Sequence, residues 1–285
     1  MTVFMALNQQ LVLRRAEAVD AITTDAQAKD VFDKADNLIG DVAGGMVGSM
    51  REPKVVAEAS ALMDAVLAYY RATDNAYGVA RVMDSLGFKA RHVDDDLDEA
   101  KARFQEAADM FLALERDEDR LAALIELGEM VPTHAEARRA AYDAIARGLP
   151  EPLNDEIDPS RLANAIALAG DADGALDLYQ TMIQDALAKE RKARAAILLR
   201  HVARVHEDQR RDKRAATETL EACLDCAEAA GDKAEIGAAL LRLADIWSER
   251  GNKKTSQAYF NRAAGMRGLP RWQRDQIKVA KMLFG

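Results

Sequence analysis

The sequence predicts an all-α protein built from stacked helix pairs, on two observations. First, five dipeptides recur at near-constant spacing: Val79-Ala80, Leu121-Ala122, Leu162-Ala163, Val202-Ala203 and Leu243-Ala244, with successive alanines 42, 41, 40 and 41 residues apart. A sustained period in that range marks units too small to bury their own apolar faces, which must stack on their neighbours. Second, alanine is abundant, aromatic residues are 5% of the chain and few runs alternate with period two, a composition that favours helix over strand. With 49% apolar and 31% charged residues, the chain can bury a core and fold in water.

Taken in order, the segment near residues 8–22 reads as an N-terminal helix. Leu38-Ile39 lies 41 residues before Ala80, and Ala59, Met63 and Val66 share one helix face, so this region reads as a degenerate helix pair. Its turn is glycine-rich (Gly44, Gly45, Gly48), and Pro53 suits a first helical turn. Val79-Ala80, Met83 and Gly87 form the first helix of the next repeat, followed after an acidic insert by Ala100, Phe104 and Ala107. Leu121-Ala122 and Ile125 mark a more degenerate unit. Gly148 to Pro159, with Pro150 and Pro152, reads as a long connection between repeats.

Beyond that connection, Leu162-Ala163 and Ile166 lead to Gly170-Asp171 and then to Ala175, Tyr179 and Met182. Val202-Ala203 and His206 precede Ala215, Ala216 and Cys223. Leu240, Leu243-Ala244 and Trp247 lie on one face of a helix, Gly251-Asn252 breaks it, and Ser256, Phe260 and Ala263 share a face of the next. After Pro270, Trp272, Ile277, Val279 and Leu283 predict a closing helix. The expected organisation is N-terminal helices over 1–74, five repeats over 75–268 and a capping helix over 269–285.

This order resembles the tetratricopeptide repeat family: a first helix with a bulky residue, Leu-Gly/Ala and a large apolar residue, a tight glycine turn, then a second helix with Ala, an aromatic and Ala. The resemblance covers residues 75–268, is most specific around Ala163 and Ala244, and departs from the family's period of about 34 residues by six to eight. It implies a right-handed α-solenoid of antiparallel helix hairpins with a concave groove. In that register Tyr77, Arg81, Asn164, Arg200 and Arg204 line the groove. The family's use of an Asn at this position implies that Asn164 holds the backbone of a bound peptide, since an amide both donates and accepts.

Charge adds a constraint. Residues 1–150 carry 17 Lys/Arg against 27 Asp/Glu, and residues 151–285 carry 22 against 21. Lys189 to Arg214 holds ten Lys/Arg against four Asp/Glu. Arg200 and Arg204 share a helix face there, and guanidinium forks suit carboxylates or phosphates.

Motifs for chemistry are weak. Cys223-Leu224-Asp225-Cys226 has redox or zinc spacing but lies mid-helix with no further cysteine, and reads as small buried side chains. Asp94, Asp96 and Asp98 start like a calcium loop, but Glu99 replaces its glycine and Gln105 its last ligand, so an acidic helix start explains them. Gly40, Gly44, Gly45 and Gly48 are not followed by a phosphate-loop lysine. His201 and His206 are five apart, a poor spacing for one metal, and His206 reads as a packed histidine.

The expected function is therefore a non-enzymatic scaffold, with no metal and no cofactor, that binds a partner protein or peptide carrying an acidic segment. The alternative is a nucleic-acid-binding helical repeat using residues 189–214, against which the net charge of −9 argues. An enzyme on a helical scaffold ranks last. Trp272 and Met282-Leu283-Phe284 either cap the last repeat or dock on a second copy. No run approaches the ~18 apolar residues of a membrane span, no signal peptide is evident in Met1 to Arg15, and two cysteines fit a reducing cytoplasm.

Overall fold

A computed structural model describes residues 22–46, 52–149 and 153–284. Among these residues the chain forms thirteen α-helices and one 3₁₀ turn, with no strand. The helices are α1 (Asp25–Ala43), α2 (Glu52–Ala72), α3 (Ala76–His92), α4 (Leu97–Ala113), α5 (Asp117–Met130), α6 (Ala135–Arg147), α7 (Pro159–Leu168), α8 (Ala172–Ala188), α9 (Lys192–Asp208), α10 (Lys213–Ala230), α11 (Lys233–Glu249), α12 (Lys253–Ala264) and α13 (Arg271–Phe284). The 3₁₀ turn is Asp155–Ile157. The helix expected near residues 8–22 lies, apart from its last residue, outside the described residues, as do Gly48, Pro150 and Pro152 and the side chains of Met282, Leu283 and Phe284.

The chain divides into two compact units, Met1–Ala137 and Arg138–Gly285. In the first, α1 to α5 pack in series, and α1 also meets α3. In the second, α7 to α13 pack in series, and α9 also meets both α7 and α11. This serial packing is that of a helical repeat protein.

One local device sets most helix starts. Asp74, Asp95, Glu115, Gly170, Glu190, Arg211, Gly231 and Gly251 all have positive φ, between 52° and 91°. Each is followed directly by the N-cap of the next helix. In most of these turns the N-cap's own N–H also reaches back five residues, as in Asn75 to Tyr70 O at 2.9 Å, Arg191 to Ala186 O at 2.7 Å and Asn252 to Trp247 O at 2.9 Å. This is the Schellman arrangement, in which one left-handed residue lets the chain satisfy the orphan carbonyls of the helix it leaves. The same residue that closes one helix then opens the next. Asn75, Asp96, Asp171, Asp212, Asp232 and Asn252 accept backbone N–H bonds with their side chains, whereas Arg116 and Arg191 make no side-chain cap bond. Asp96 accepts from Glu99 N at 3.0 Å, which is the role expected of the acidic insert.

Packing follows small residues opposite large ones. Ala28, Phe32, Ala35 and Ile39 of α1 and Ala59, Met63 and Val66 of α2 are buried. In α3 Gly87 lies under Phe104 of α4; a Cβ there would meet the ring at 3.0 Å. In the second unit Ala203, Leu220, Cys223, Leu240, Leu243 and Ala263 belong to one apolar cluster.

The structure revises the register of the repeat. The small residue that faces the large residue of the following helix is Gly87, seventeen before Phe104, not Ala80. Ala80, Ala163, Ala203 and Ala244 are buried, but Ala122 is half-exposed and Ala123 beside it is buried. Measured from their N-caps, Ala163 is the fifth residue of its repeat, while Ala203 and Ala244 are the twelfth. The uniform alanine spacing therefore conceals a shift of two helical turns.

That shift has one cause: α7 has 10 residues, whereas α9 and α11 have 17 each. All three end six residues after their alanine, at Ala169, Gln209 and Arg250. The shortening is thus entirely at the start of α7, where Asp158 caps the helix and Pro159 takes the first turn. α8 keeps its full 17 residues.

Candidate functional site

Because α9 packs against both α7 and α11, side chains on these three helices meet directly. Arg204 donates to Asn164 Oδ1 at 3.1 Å, and the Tyr179 hydroxyl donates to the same oxygen at 2.8 Å. Arg194 pairs with Asp158, the N-cap of α7. Arg200 grips Glu235 with two bonds of 2.7 and 3.2 Å, and Arg242 grips Glu207. Each of the four arginine contacts joins residues 35 to 40 apart, one repeat in this unit.

Tyr179 organises the middle of this face. It is fully buried, and its ring stacks on His201 with centroids 5.9 Å apart and planes 6° from parallel. Burial, with the cations Arg200, Arg204 and Arg194 around it, pulls the His201 pKa down to about 4, so the imidazole is neutral near pH 7. Burial likewise raises the Tyr179 phenol, which stays protonated and donates.

The expected site residues fall in two places. Asn164, Arg200 and Arg204 share the α7–α9–α11 face of the second unit, with Asn164 and Arg204 in direct contact. Tyr77 and Arg81 lie on α3 of the first unit, where Arg116 stacks over the Tyr77 ring at 4.6 Å and Arg81 over Phe32 at 5.4 Å. Counted from Gly87 as Arg200 and Arg204 are counted from Ala203, the matching α3 positions are Asp84 and Phe88, so Tyr77 and Arg81 stand two turns earlier. The ladder also recruits Asp158, Tyr179, Arg194, His201, Glu235 and Arg242. Arg200–Glu235 and Glu207–Arg242, opposite charges both 35 apart, are the sequence signal that would have found it.

Among the four ladder arginines, Arg204 differs. Arg194, Arg200 and Arg242 pair with carboxylates, whereas Arg204 is exposed and bonds the neutral amide of Asn164. Among the described residues no carboxylate pairs with it.

The other motifs are structural. Cys223 is buried, its thiol donates to Ala196 O at 3.1 Å, and burial pushes its pKa up to about 12, far from a reactive thiolate. Cys226 is half-buried, and both cysteines are free. His206 is half-buried, with its Nδ1 enclosed and without a partner among the described residues. No helix among the described residues is long and apolar enough to cross a membrane.

No family model matches this chain. No curated protein matches it either. Among solved structures the chain is similar to the one titled "Crystal structure of BtubC (BKLC) from P. vanneervenii", at 16% identity over 86% of this chain and 93% of that one, with a TM-score of 0.39. At that distance the likeness carries no argument about what this protein does.

Proposed function

We propose that this protein is a non-enzymatic interaction scaffold of tetratricopeptide-like type, a right-handed solenoid of antiparallel helix hairpins that holds an acidic segment of a partner protein against α7, α9 and α11. The observation that carries the reading is Arg204, an exposed guanidinium held in place by a neutral amide. Its neighbours Arg194 and Arg200 are already fixed by carboxylates. A carboxylate arriving at Arg204 gains a charge-assisted bond without breaking an ion pair, and Asn164 keeps its amide N–H groups for a peptide carbonyl.

The nucleic-acid alternative has less support than the charge run promised. Of the ten cations in residues 189–214, Lys189, Arg194, Arg200, Arg210, Lys213 and Arg214 pair with Asp185, Asp158, Glu235, Asp173, Glu249 and Glu218. Paired cations release few counterions from a phosphate backbone.

A fluorescence-anisotropy titration tests the proposal, using a panel of peptides with clustered Asp/Glu and their Asn/Gln counterparts. Acidic peptides should bind the wild type and weaken at least tenfold with Arg204→Glu, with the neutral counterparts weaker throughout. If no acidic peptide binds, or if Arg204→Glu binds as well as wild type, this reading fails. A salt-sensitive RNA titration of similar affinity would favour the alternative.

A further inference from the structure

The last helix meets the rest of the second unit along a narrow strip. Leu269, just ahead of α13, and Gln273 and Ile277 within it are buried. Gln273 donates to Ala234 O of α11 at 2.6 Å, and Leu269 lies against Gly237. Successive residues turn by about 100° around a helix, so Trp272, Gln276 and Val279 form a second strip, and Arg271, Arg274 and Lys278 a third. Trp272 is 59% exposed and Val279 53%. The indole therefore does not close the last repeat; it faces outward beside an aliphatic neighbour two turns on.

Charge is segregated at the same end. From the start of α12, residues 253–285 carry eight Lys/Arg against Asp275 alone, whereas residues 1–252 carry 31 against 47 Asp/Glu. Arg262 pairs with Glu228, and Asp275 lies 3.7 Å from Arg271 and 3.6 Å from Lys278. All three members of that triplet are mostly in solvent, so Asp275 offsets little of their charge. Among the described residues no carboxylate pairs with Lys253, Lys254, Arg267 or Arg274, and all four are exposed.

We infer that the α12–α13 end of the chain docks on the surface of an anionic phospholipid bilayer, with Trp272 and Val279 entering the headgroup boundary and the neighbouring cations facing lipid phosphates and carboxylates. A basic helix with an exposed tryptophan and aliphatic ridge is the make-up of a helix that lies in the interface, and the amphipathic indole ring favours that depth. Each unpaired cation adds attraction to a negative surface. The acidic remainder is repelled by it, so the field turns this end towards the lipid. A nucleic acid would use the cations and the indole but leave Val279 in water. A second copy seated symmetrically on this face would bring its own unpaired cations against these. The inference does not rest on the scaffold reading.

Co-sedimentation of the full chain with vesicles of phosphatidylcholine, alone and mixed with phosphatidylserine, tests this. Partitioning onto the mixed vesicles should be higher by about tenfold or more and should fall as salt is raised. Tryptophan emission should shift to the blue on binding, and the shift should disappear in Trp272→Phe, which keeps Trp247 as the one remaining indole. Arg267→Glu combined with Arg274→Glu, both at exposed positions, should lower partitioning by about tenfold without lowering the melting temperature. Equal partitioning onto the two kinds of vesicle, or none, overturns the inference. So does an unshifted emission from vesicle-bound protein, or wild-type partitioning of the folded charge-reversal variant. Preferential binding of a single-stranded DNA oligonucleotide when both are offered would assign the surface to nucleic acid instead, and a dimer in sedimentation equilibrium that Trp272→Ser dissociates would assign it to a second copy.

Discussion

Arg204 and Asn164, forty residues apart, share one oxygen with Tyr179: the guanidinium reaches Asn164 Oδ1 at 3.1 Å and the buried phenol reaches it at 2.8 Å. Asn164 therefore ties its own repeat together and links it to the next. Asn164→Ala should cost about 1–2 kcal/mol, because the Tyr179 hydroxyl keeps only the Ser160 carbonyl at 3.4 Å. Adding Tyr179→Phe should cost less in that background than in the wild type, since the stranded hydroxyl is gone. Urea denaturation of the four-member cycle measures this, and strict additivity would show that the shared oxygen does not couple them.

The end of the second unit hangs on Gly237. A Cβ there would run into the Gln273 side-chain oxygen and would meet Leu269 Cδ2 at 2.7 Å. Gln273 is fully buried and donates to Ala234 O at 2.6 Å. Gly237→Ala should destabilise by about 1–3 kcal/mol through overpacking and loosen α13 first. Limited trypsin digestion should then cut at Arg271 or Arg274 before any other site.

The left-handed turn residues give a signed test. Glu190 carries φ 56° and Gly170 φ 91° in equivalent turns. A non-glycine residue is strained in that region by roughly 1–2 kcal/mol, partly offset by the freedom glycine has when unfolded. Glu190→Gly should raise the unfolding free energy by about 0.5–1 kcal/mol, and Gly170→Ala should lower it by about 1 kcal/mol. Thermal melts read both.

His201 predicts a pH dependence. Its folded pKa, about 4, is below the ordinary histidine value of 6.5. Between those values the unfolded chain binds a proton that the folded chain refuses, so stability is fully present above pH 6.5 and falls as pH drops towards 4. His92, also lowered, chiefly by burial and then by Arg91, acts in the same sense. His201→Phe should flatten the loss of denaturation midpoint between pH 6.5 and 4.5 while leaving the steeper loss at lower pH. That later loss reflects groups such as Asp171 and Asp212, which backbone N–H groups hold below the usual carboxylate range.

The helical content, the serial order and the glycine turns were legible in the sequence because they are local: a 3.6-residue apolar period, an Asp or Asn cap and a small residue opposite a large one all lie within one repeat. The register was not. Ala80 and Gly87 differ by two turns and both are buried, so periodicity alone could not tell which one faces Phe104. The truncation of α7 was hidden for a related reason, since Leu162-Ala163 falls 40 residues from Ala203 whether or not the helix starts early. Turns at Glu115, Glu190 and Arg211 were missed because their residues are poor left-handed formers that the neighbouring helices force into place. At the candidate site, Asn164, Arg200 and Arg204 were readable as positions on a helix face. Their partners Tyr179 and Glu235 come from the next helix or the next repeat, and only packing reveals them.

In the second unit, no described helix packs substantially on one more than two places away in the chain. Native contacts are therefore close in sequence, a low contact order that favours fast folding. Cooperativity passes only from neighbour to neighbour. Amide exchange in this unit should accordingly be graded, quickest in α13, which packs on α12 and buries Gln273 and Ile277 among its described side chains, and slowest around α9, which packs on α7, α8, α10 and α11. The helix that presents Arg204 would then be among the last to fray.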